Sequence, residues 1–538
     1  MRQTFKLPRI CITATGRSSA ELMACARRSL EQCRFVELRL DWVKNPADAI
    51  ALIPRLLVGG SRTAKARRPI LQATCRRRPN GGRFSGSVSR QIELLQQAAR
   101  AGCRVLDLEI ESAERAGAAA VASLRSLAQL ILSFHDFYGT PPLAPVARRL
   151  RRFEAEFYKI VPTATRQSDN CAVLDFLSSI SGDTPGGGKW VAFAMGEPGI
   201  PSRVLALSRG SAFVYASPGG TDAVDSIPAA PGQLDWNTLH SQYRAEHLST
   251  ATAIYGLLGN PVRHSIGPAV HNASFRARGV DAVYLPLQVS DLKNFLRSAD
   301  RYPLAGCSVT IPHKREILRY AEKNDRWVDS AGAANTLRIR RGRWEAINTD
   351  VDGIRIPLRR VYRLSPGQRF WKSFHAVIVG NGGSARAACI ALRSLGCRNL
   401  WIAGRNLSHV RQLAAEMGAT AISLNALHRE KFDLLIHATP VGMWPRQKEA
   451  LLTTNSLRAD TVFDLVYNPP ETELLKRARA AGCQTISGLE MFLAQAAMQF
   501  EFWTGAKAPL SRMRRVALKA LAAQQYRITE TIPPERIT

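Results

Sequence analysis

Between residues 10 and 217 the chain alternates short, unbroken apolar runs with longer stretches of helical periodicity. The runs are ICITAT (10–15), FVELRLD (35–41), PILQATC (69–75), RVLDLEI (104–110), LILSFHDF (130–137), FYKIV (157–161), WVAFAM (190–195) and AFVYAS (212–217). Parallel strands covered on both faces read as continuous apolar runs, and segments such as SRQIELLQQAARAG (89–102) supply amphipathic helices between them. Eight βα units predict a closed (β/α)8 barrel, with an open doubly wound sheet as the structural alternative.

The pattern then changes twice. AEHLSTATA (245–253) is small and polar, and IYGLLGNP after it starts a new α/β pattern. A second break, LSPGQRFWKS (364–373), precedes HAVIVGNGGSARAACIALRSLG, which reads as strand, glycine turn and helix. The helix LEMFLAQAAMQFEFWTG (489–505) leads into a basic helical tail, and the final ITETIPPERIT reads as frayed. The expected domains are 1–246, 251–365 completed by a helix at 489–525, and 370–488. A length of 538 residues fits, at about 150 residues per domain.

Composition narrows the class. Apolar residues are 46% and charged residues 22%, as in a globular protein. No run reaches the ~18 apolar residues of a membrane span, so no membrane partner is expected. The start, MRQTFKLPRICITAT, lacks the apolar stretch of a signal peptide. Ten scattered cysteines without a CxxC pair read as reduced thiols of a cytoplasmic protein and give no metal-site spacing, so no metal is expected.

The net charge of +31 would suit nucleic acid, a membrane surface or anionic substrates. However, 60 of the 74 basic residues are arginine and most are dispersed. The densest clusters, RRLRR (148–152) and RIRRGR (338–343), are short and lack interleaved aromatics, so nucleic-acid binding is not expected. In an arginine-rich chain the few lysines stand out, because lysine can lose its proton.

In a (β/α)8 barrel the chemistry sits at the C-terminal strand ends, where Glu37, Arg39, Arg76, His135, Lys159, Arg203 and Gln233 fall. Lys159 lies within FYKIV, and two readings are open for it. One is a buried lysine paired with a carboxylate. The other is an amine whose pKa is lowered by burial and cationic neighbours, poised to form a Schiff base. His135 is the only imidazole before residue 240.

ELRLD (37–41), TCR (74–76), SFHDF (133–137), YKI (158–160), MGEPGIPSR (195–203) and AAPGQ (229–233) occur in this order, and together they resemble type I 3-dehydroquinate dehydratase. The resemblance implies an imine between Lys159 and the substrate ketone, with His135 as proton carrier. It implies that Arg203 binds the substrate carboxylate and that Glu37, Arg39, Arg76 and Gln233 position hydroxyls. Two positions depart from the family pattern. Asn80 stands where a carboxylate usually orients the histidine, and Ala229 stands where serine is common.

The later motifs point elsewhere. Gly380-x-Gly382-x-x-Ala385 follows a strand and opens a helix, as a dinucleotide turn does. The next strand ends in Gly404-Arg405 rather than in an acid, which suits the extra phosphate of NADP. GNPVRHSIGPAVHNASF (259–275), SVTIPHK (308–314), GAANTL (332–337), INTDVDG (347–353), ATPVGM (438–443), DLVYNPPET (464–472) and GLEMFLAQA (488–496) together resemble shikimate dehydrogenase.

This second resemblance implies a two-lobed α/β unit with a Rossmann NADP-binding domain. It implies Lys314 and Asp350 as the catalytic pair, and Ser265, Thr310, Asn335, Tyr467 and Gln495 as substrate ligands. Gly380, Gly382, Gly383, Arg405, Thr439 and Gly488 would contact the cofactor, NADPH, or shape its site. The family pattern has two serines on the substrate carboxylate. Here HSIGP supplies only Ser265, and Gly267 leaves either room for an extra hydroxyl, as in quinate, or a place for water.

The joint expectation is a bifunctional enzyme that converts 3-dehydroquinate to 3-dehydroshikimate and then to shikimate. A quinate/shikimate dehydrogenase with a weak barrel and a basic RNA-binding protein on an enzyme scaffold are the other readings. Nothing in the sequence sets the oligomeric state.

Overall fold

The computed structural model describes residues 6–58, 68–180, 188–220, 229–299, 301–302, 304–365, 367–370, 372–444, 446–453 and 457–531, with side chains not described at 526–531. Residues 532–538 of the expected frayed end lie outside the described residues. The chain divides into two compact units. One holds 1–254, 261–263 and 285–303; the other holds 255–260, 264–284 and 304–538.

All eight expected strands form in the first unit. They are β1 (Ile10–Ala14), β2 (Phe35–Arg39), β3 (Ile70–Thr74), β4 (Val105–Glu109), β5 (Gln129–His135), β6 (Phe157–Val161), β7 (Lys189–Ala192) and β8 (Val214–Ala216). They pair in the order β7-β6-β5-β4-β3-β2-β1-β8, and every ladder is parallel. The Ala212 N–H donates to the Trp190 carbonyl at 2.8 Å and bridges the remaining gap between the ends of the order. The barrel is therefore nearly closed, and the open-sheet alternative falls. Strands β1 to β4 and β6 are buried at every position, which is why they read as unbroken apolar runs.

The second part contains two further sheets. One is mixed: β9 (Ala253–Gly259), β10 (Ala282–Gln288), β11 (Leu304–Val309), β12 (Lys323–Asn324), β13 (Thr336–Arg340) and β14 (Arg343–Ile347) run in the order β10-β9-β11-β13-β14-β12. The other is parallel: β15 (His375–Val379), β16 (Asn399–Gly404), β17 (Thr420–Ser423), β18 (Phe432–His437), β19 (Ala459–Asp464) and β20 (Gln484–Ser487), in the order β17-β16-β15-β18-β19-β20. In β15, Ala376 and Ile378 join one apolar cluster while Val377 and Val379 join the other, so both faces are covered. The order reverses at β15, and a doubly wound sheet opens its ligand crevice at such a point, beyond the C-terminal ends of β15 and β18.

Both basic clusters have structural explanations. RIRRGR is the tip of the β13–β14 hairpin: Arg341 and Gly342 take φ of 51° and 76°, as a tight two-residue turn requires, and Arg338 pairs with Glu345. RRLRR ends a helix (Leu143–Leu150), where Arg149 pairs with Glu111 at 3.1 Å and Glu114 at 2.6 Å. No described helix is long and apolar enough to cross a membrane.

Candidate active sites

The barrel strands carry polar side chains inward from apolar ladders. Thr13, Glu37, Arg39, Arg76, His135, Lys159, Arg203 and Gln233 line one cavity of about 500 Å³, part of it open solvent. All seven barrel residues singled out from the sequence are thus brought together. Neighbouring strands set the spacing: Ser133 on β5 is the register partner of Lys159 on β6, and His135 stands two residues further along β5 on the same face.

Lys159 is 3% exposed. Its Nζ donates to Asp107 Oδ2 at 2.7 Å and sits 4.3 Å from the centre of the Tyr215 ring. Of the two readings open for Lys159, the geometry displays the pairing with a buried carboxylate, which Arg76 shares. Burial alone would raise the Asp107 carboxyl; the charges of Lys159 and Arg76 outweigh it and hold it down at about 2. Arg76 completes the cluster with 2.8 Å to Asp107 and 2.9 Å to His135 Nδ1.

A guanidinium only donates, so Nδ1 accepts and the neutral imidazole carries its proton on Nε2. Burial, then the charges of Arg76, Lys159 and Arg39, push the His135 pKa well below its usual value. Asn80 lies outside the cavity lining and donates instead to Glu111 at 2.8 Å.

Glu37 accepts from Thr13 at 2.9 Å, Gln72 at 3.0 Å and Thr74 at 2.6 Å, and Gln233 donates to Thr13 at 3.2 Å. Arg39 is held by Asp41 through two hydrogen bonds of 2.9 and 2.8 Å. Arg203 differs. It is 2% exposed, packs over the Phe193 ring at 4.8 Å, donates to the Pro231 carbonyl at 3.1 Å, and its Nε has no partner among the described residues. Burial without a carboxylate pushes this guanidinium down. A buried cation lacking its anion is a ready site for a carboxylate ligand.

In the second unit, Lys314 Nζ donates to Asp350 Oδ2 at 2.6 Å. Asp350 Oδ1 accepts from Asn335 at 2.9 Å and from Gln495. Asp350 sits in the first turn of a helix (Thr349–Val361) capped by Asn348, which fixes the carboxylate from the backbone side. Four of the expected residues thus form one hydrogen-bonded network. Ser265 accepts the Gly267 N–H at 3.1 Å. Thr310 has only backbone hydrogen bonds among the described residues.

The parallel sheet offers a nucleotide cradle. Gly380 has φ +136°, and a Cβ there would strike the Ala438 carbonyl at 2.6 Å. A Cβ on Gly382 or Gly383 would meet nothing within 4 Å, which leaves open space at the start of a helix (Gly383–Ser394) with no side-chain cap. Free helix N-terminal amides beside open space fit a pyrophosphate. Arg405 is exposed just past β16. Gly488 has a packing reason of its own, since a Cβ would lie 2.5 Å from the Leu465 and Val466 carbonyls. Among the described residues no group of three or more His, Cys, Asp or Glu could hold a metal.

Comparisons with known proteins cover the same two parts. A model described as type I 3-dehydroquinase matches residues 10–250. Models of the shikimate dehydrogenase substrate binding domain, of shikimate / quinate 5-dehydrogenase and of the shikimate 5'-dehydrogenase C-terminal domain match 257–337, 367–466 and 488–518. The chloroplastic bifunctional 3-dehydroquinate dehydratase/shikimate dehydrogenase of Arabidopsis thaliana is 31% identical over 493 residues, spanning 88% of this chain and 78% of the relative. The chain belongs to the bifunctional 3-dehydroquinate dehydratase/shikimate dehydrogenase family.

The shikimate dehydrogenase (NADP(+)) of Methanopyrus kandleri is 39% identical over 284 residues, 50% of this chain and 96% of that one. A crystal structure of a shikimate dehydrogenase in complex with NADP+ is 33% identical with a TM-score of 0.47, covering 51% of this chain and 97% of that chain.

Within this bifunctional family member, sequence reasoning did not single out Thr13 and Tyr215, which line the dehydratase-like cavity, or Asp107 and Gln72, which hydrogen-bond Lys159 and Glu37. The available signal was an acid inside the apolar run RVLDLEI. In the dehydrogenase-like half the room beside Ser265 is bounded. A Cβ on Gly267 would lie 3.1 Å from Ser265 Oγ and 3.7 Å from the Tyr284 hydroxyl. Gly267→Ser therefore fits after a small shift. If the gap admits a hydroxyl, this variant raises the ratio of shikimate to quinate oxidation above that of the parent. An unchanged ratio leaves a water-filled gap.

Proposed function

We propose that the barrel removes water from 3-dehydroquinate to give 3-dehydroshikimate, and that the second half reduces this product to shikimate with NADPH. The observation that carries the first half is a buried amine, a neutral imidazole and an acid-free buried guanidinium around one cavity. Arg203 takes the substrate carboxylate through paired charged hydrogen bonds. Lys159 Nζ attacks the ketone carbon and, with loss of water, forms an imine. His135 removes the neighbouring proton, and the electron pair moves into an enamine instead of resting on carbon. For this the ring parts from Arg76 and takes the proton on its free nitrogen. The β-hydroxyl leaves with that proton, and hydrolysis returns the enone and the free lysine, so one water is lost overall.

In the second half NADPH supplies the reducing equivalent. Lys314, held by Asp350, donates a proton to the carbonyl oxygen as it gains negative charge. Asn335, Gln495, Ser265, Tyr467 and Thr310 would hold the ring hydroxyls and carboxylate. Gly382, Gly383 and the helix amides would carry the pyrophosphate, with Arg405 on the adenosine phosphate. The division at 246/251 and 365/370 assigns one task to each domain.

Incubation with 3-dehydroquinate and no nucleotide tests the barrel alone, through growth of the conjugated enone absorbance; a flat trace contradicts the reading. For the cofactor, Arg405→Asp should weaken NADPH binding by at least about 2 kcal/mol, from lost charged hydrogen bonds and added repulsion. Equal kcat/KM with NADH and NADPH in the parent would contradict the assignment.

A further inference from the structure

Two adjacent strands of the parallel sheet end on a buried pair that the proposed chemistry does not use. His437 of β18 and Asp464 of β19 are register partners, 2% and 0% exposed. His437 Nδ1 lies 2.8 Å from Asp464 Oδ1, and Nε2 lies 2.5 Å from Thr439 Oγ1. The surrounding donors orient the proton of the neutral ring. Asp464 Oδ1 also accepts the Val466 N–H at 3.0 Å. Asp464 Oδ2 accepts the hydroxyl of Thr472, which in turn accepts the Leu475 N–H at 3.3 Å.

A carboxylate ringed by donors accepts on both oxygens, so His437 carries its proton on Nδ1. In the neutral ring Nε2 is then bare and accepts the Thr439 hydroxyl proton. Thr439 Oγ1 accepts the Val441 N–H at 3.3 Å and keeps one lone pair.

The position of Thr439 says what that lone pair meets. It is partly exposed, just past the end of β18, and it follows Ala438, the residue against which the Gly380 turn packs. In the order β16-β15-β18, Arg405 follows β16 and Thr439 follows β18, on opposite sides of the glycine turn. With the adenosine phosphate toward Arg405 and the pyrophosphate at the turn, the nicotinamide end extends toward β18. A group that can only accept repels phosphate oxygens and selects a donor. We infer that His437 and Asp464 are positioning residues that lock Thr439 Oγ1 as a hydrogen-bond acceptor for a donor at the nicotinamide end, a ribose hydroxyl or the carboxamide N–H. The inference rests on the NADP reading above.

Calorimetric titration of the whole chain with three ligands tests it. NADP+ has both donors, 2′-phospho-ADP-ribose keeps the ribose hydroxyls without the carboxamide, and adenosine 2′,5′-bisphosphate lacks both. Thr439→Val should weaken NADP+ about tenfold, equal to about 1.4 kcal/mol. Thr439→Ser should restore parental affinity, and neither variant should change bisphosphate binding. His437→Leu removes the acceptor that takes the Thr439 hydroxyl proton and frees that hydroxyl to turn outward as a donor, so it should weaken NADP+ as Thr439→Val does and leave bisphosphate binding unchanged. Loss shared by NADP+ and 2′-phospho-ADP-ribose assigns the ribose hydroxyl; loss confined to NADP+ assigns the carboxamide. Parallel losses on all three ligands, or unchanged NADP+ affinity in Thr439→Val, overturn the inference. A parent that binds none of the three overturns the cofactor reading and this inference with it.

Discussion

Lys159→Ala should lower the dehydration of 3-dehydroquinate by at least about 10⁴-fold, the scale on which removal of a covalent nucleophile is felt. Reduction of added 3-dehydroshikimate should continue. The expectation follows from the placement of the amine: it is 3% exposed, faces the cavity and has Asp107 at 2.7 Å as its acidic neighbour. Asp107, held at about 2 by Lys159 and Arg76 against the opposing effect of burial, is a poor base at neutral pH. The proton traffic therefore rests on His135.

Because burial, Arg76, Lys159 and Arg39 depress its pKa, His135 stays unprotonated as pH falls through 6.5. The acid limb of the dehydration rate should accordingly lie well below pH 6.5, not at an ordinary histidine value. Borohydride added with 3-dehydroquinate should leave a covalent adduct on Lys159, found by peptide mapping. An adduct on another residue, or undiminished dehydration by Lys159→Ala, would contradict the mechanism.

The second large effect is expected at Asp350. Asp350→Asn keeps the shape that receives Asn335 and Gln495 but removes the charge 2.6 Å from Lys314. The lysine then loses the carboxylate that aims it, and kcat for 3-dehydroshikimate reduction should fall by about 10²–10⁴-fold, the range of positioned proton donors. Lys314→Ala should fall by a similar factor, and the double variant should fall little further, because the two act as one unit. NADP+ affinity, measured by titration, should stay at the parental value. A loss below tenfold in both single variants would reduce the pair to a structural ion pair.

The barrel was legible because its strands are covered on both faces, so each is written as an uninterrupted apolar run. Polar residues within or beyond those runs marked the cavity, and Glu37, Arg39, Arg76, His135, Lys159, Arg203 and Gln233 all line it. Asp107 escaped notice because its partner is distant in sequence: only the β4–β5–β6 ladder brings it to Lys159. The hairpin β13–β14 escaped for a different reason. Arginines occupy its exposed positions, and a basic cluster hid a two-residue turn. Asp464 heads the motif DLVYNPPET, but nothing in the sequence paired it with His437; the β18–β19 ladder brings the two together.

On the proposed chemistry, one chain carries a substrate through both reactions. Purified chain given 3-dehydroquinate and NADPH, followed at the reduced-nicotinamide absorbance band, should oxidise one NADPH per dehydroquinate and accumulate shikimate. No NADPH oxidation from 3-dehydroquinate, in a preparation that reduces added 3-dehydroshikimate, would contradict it.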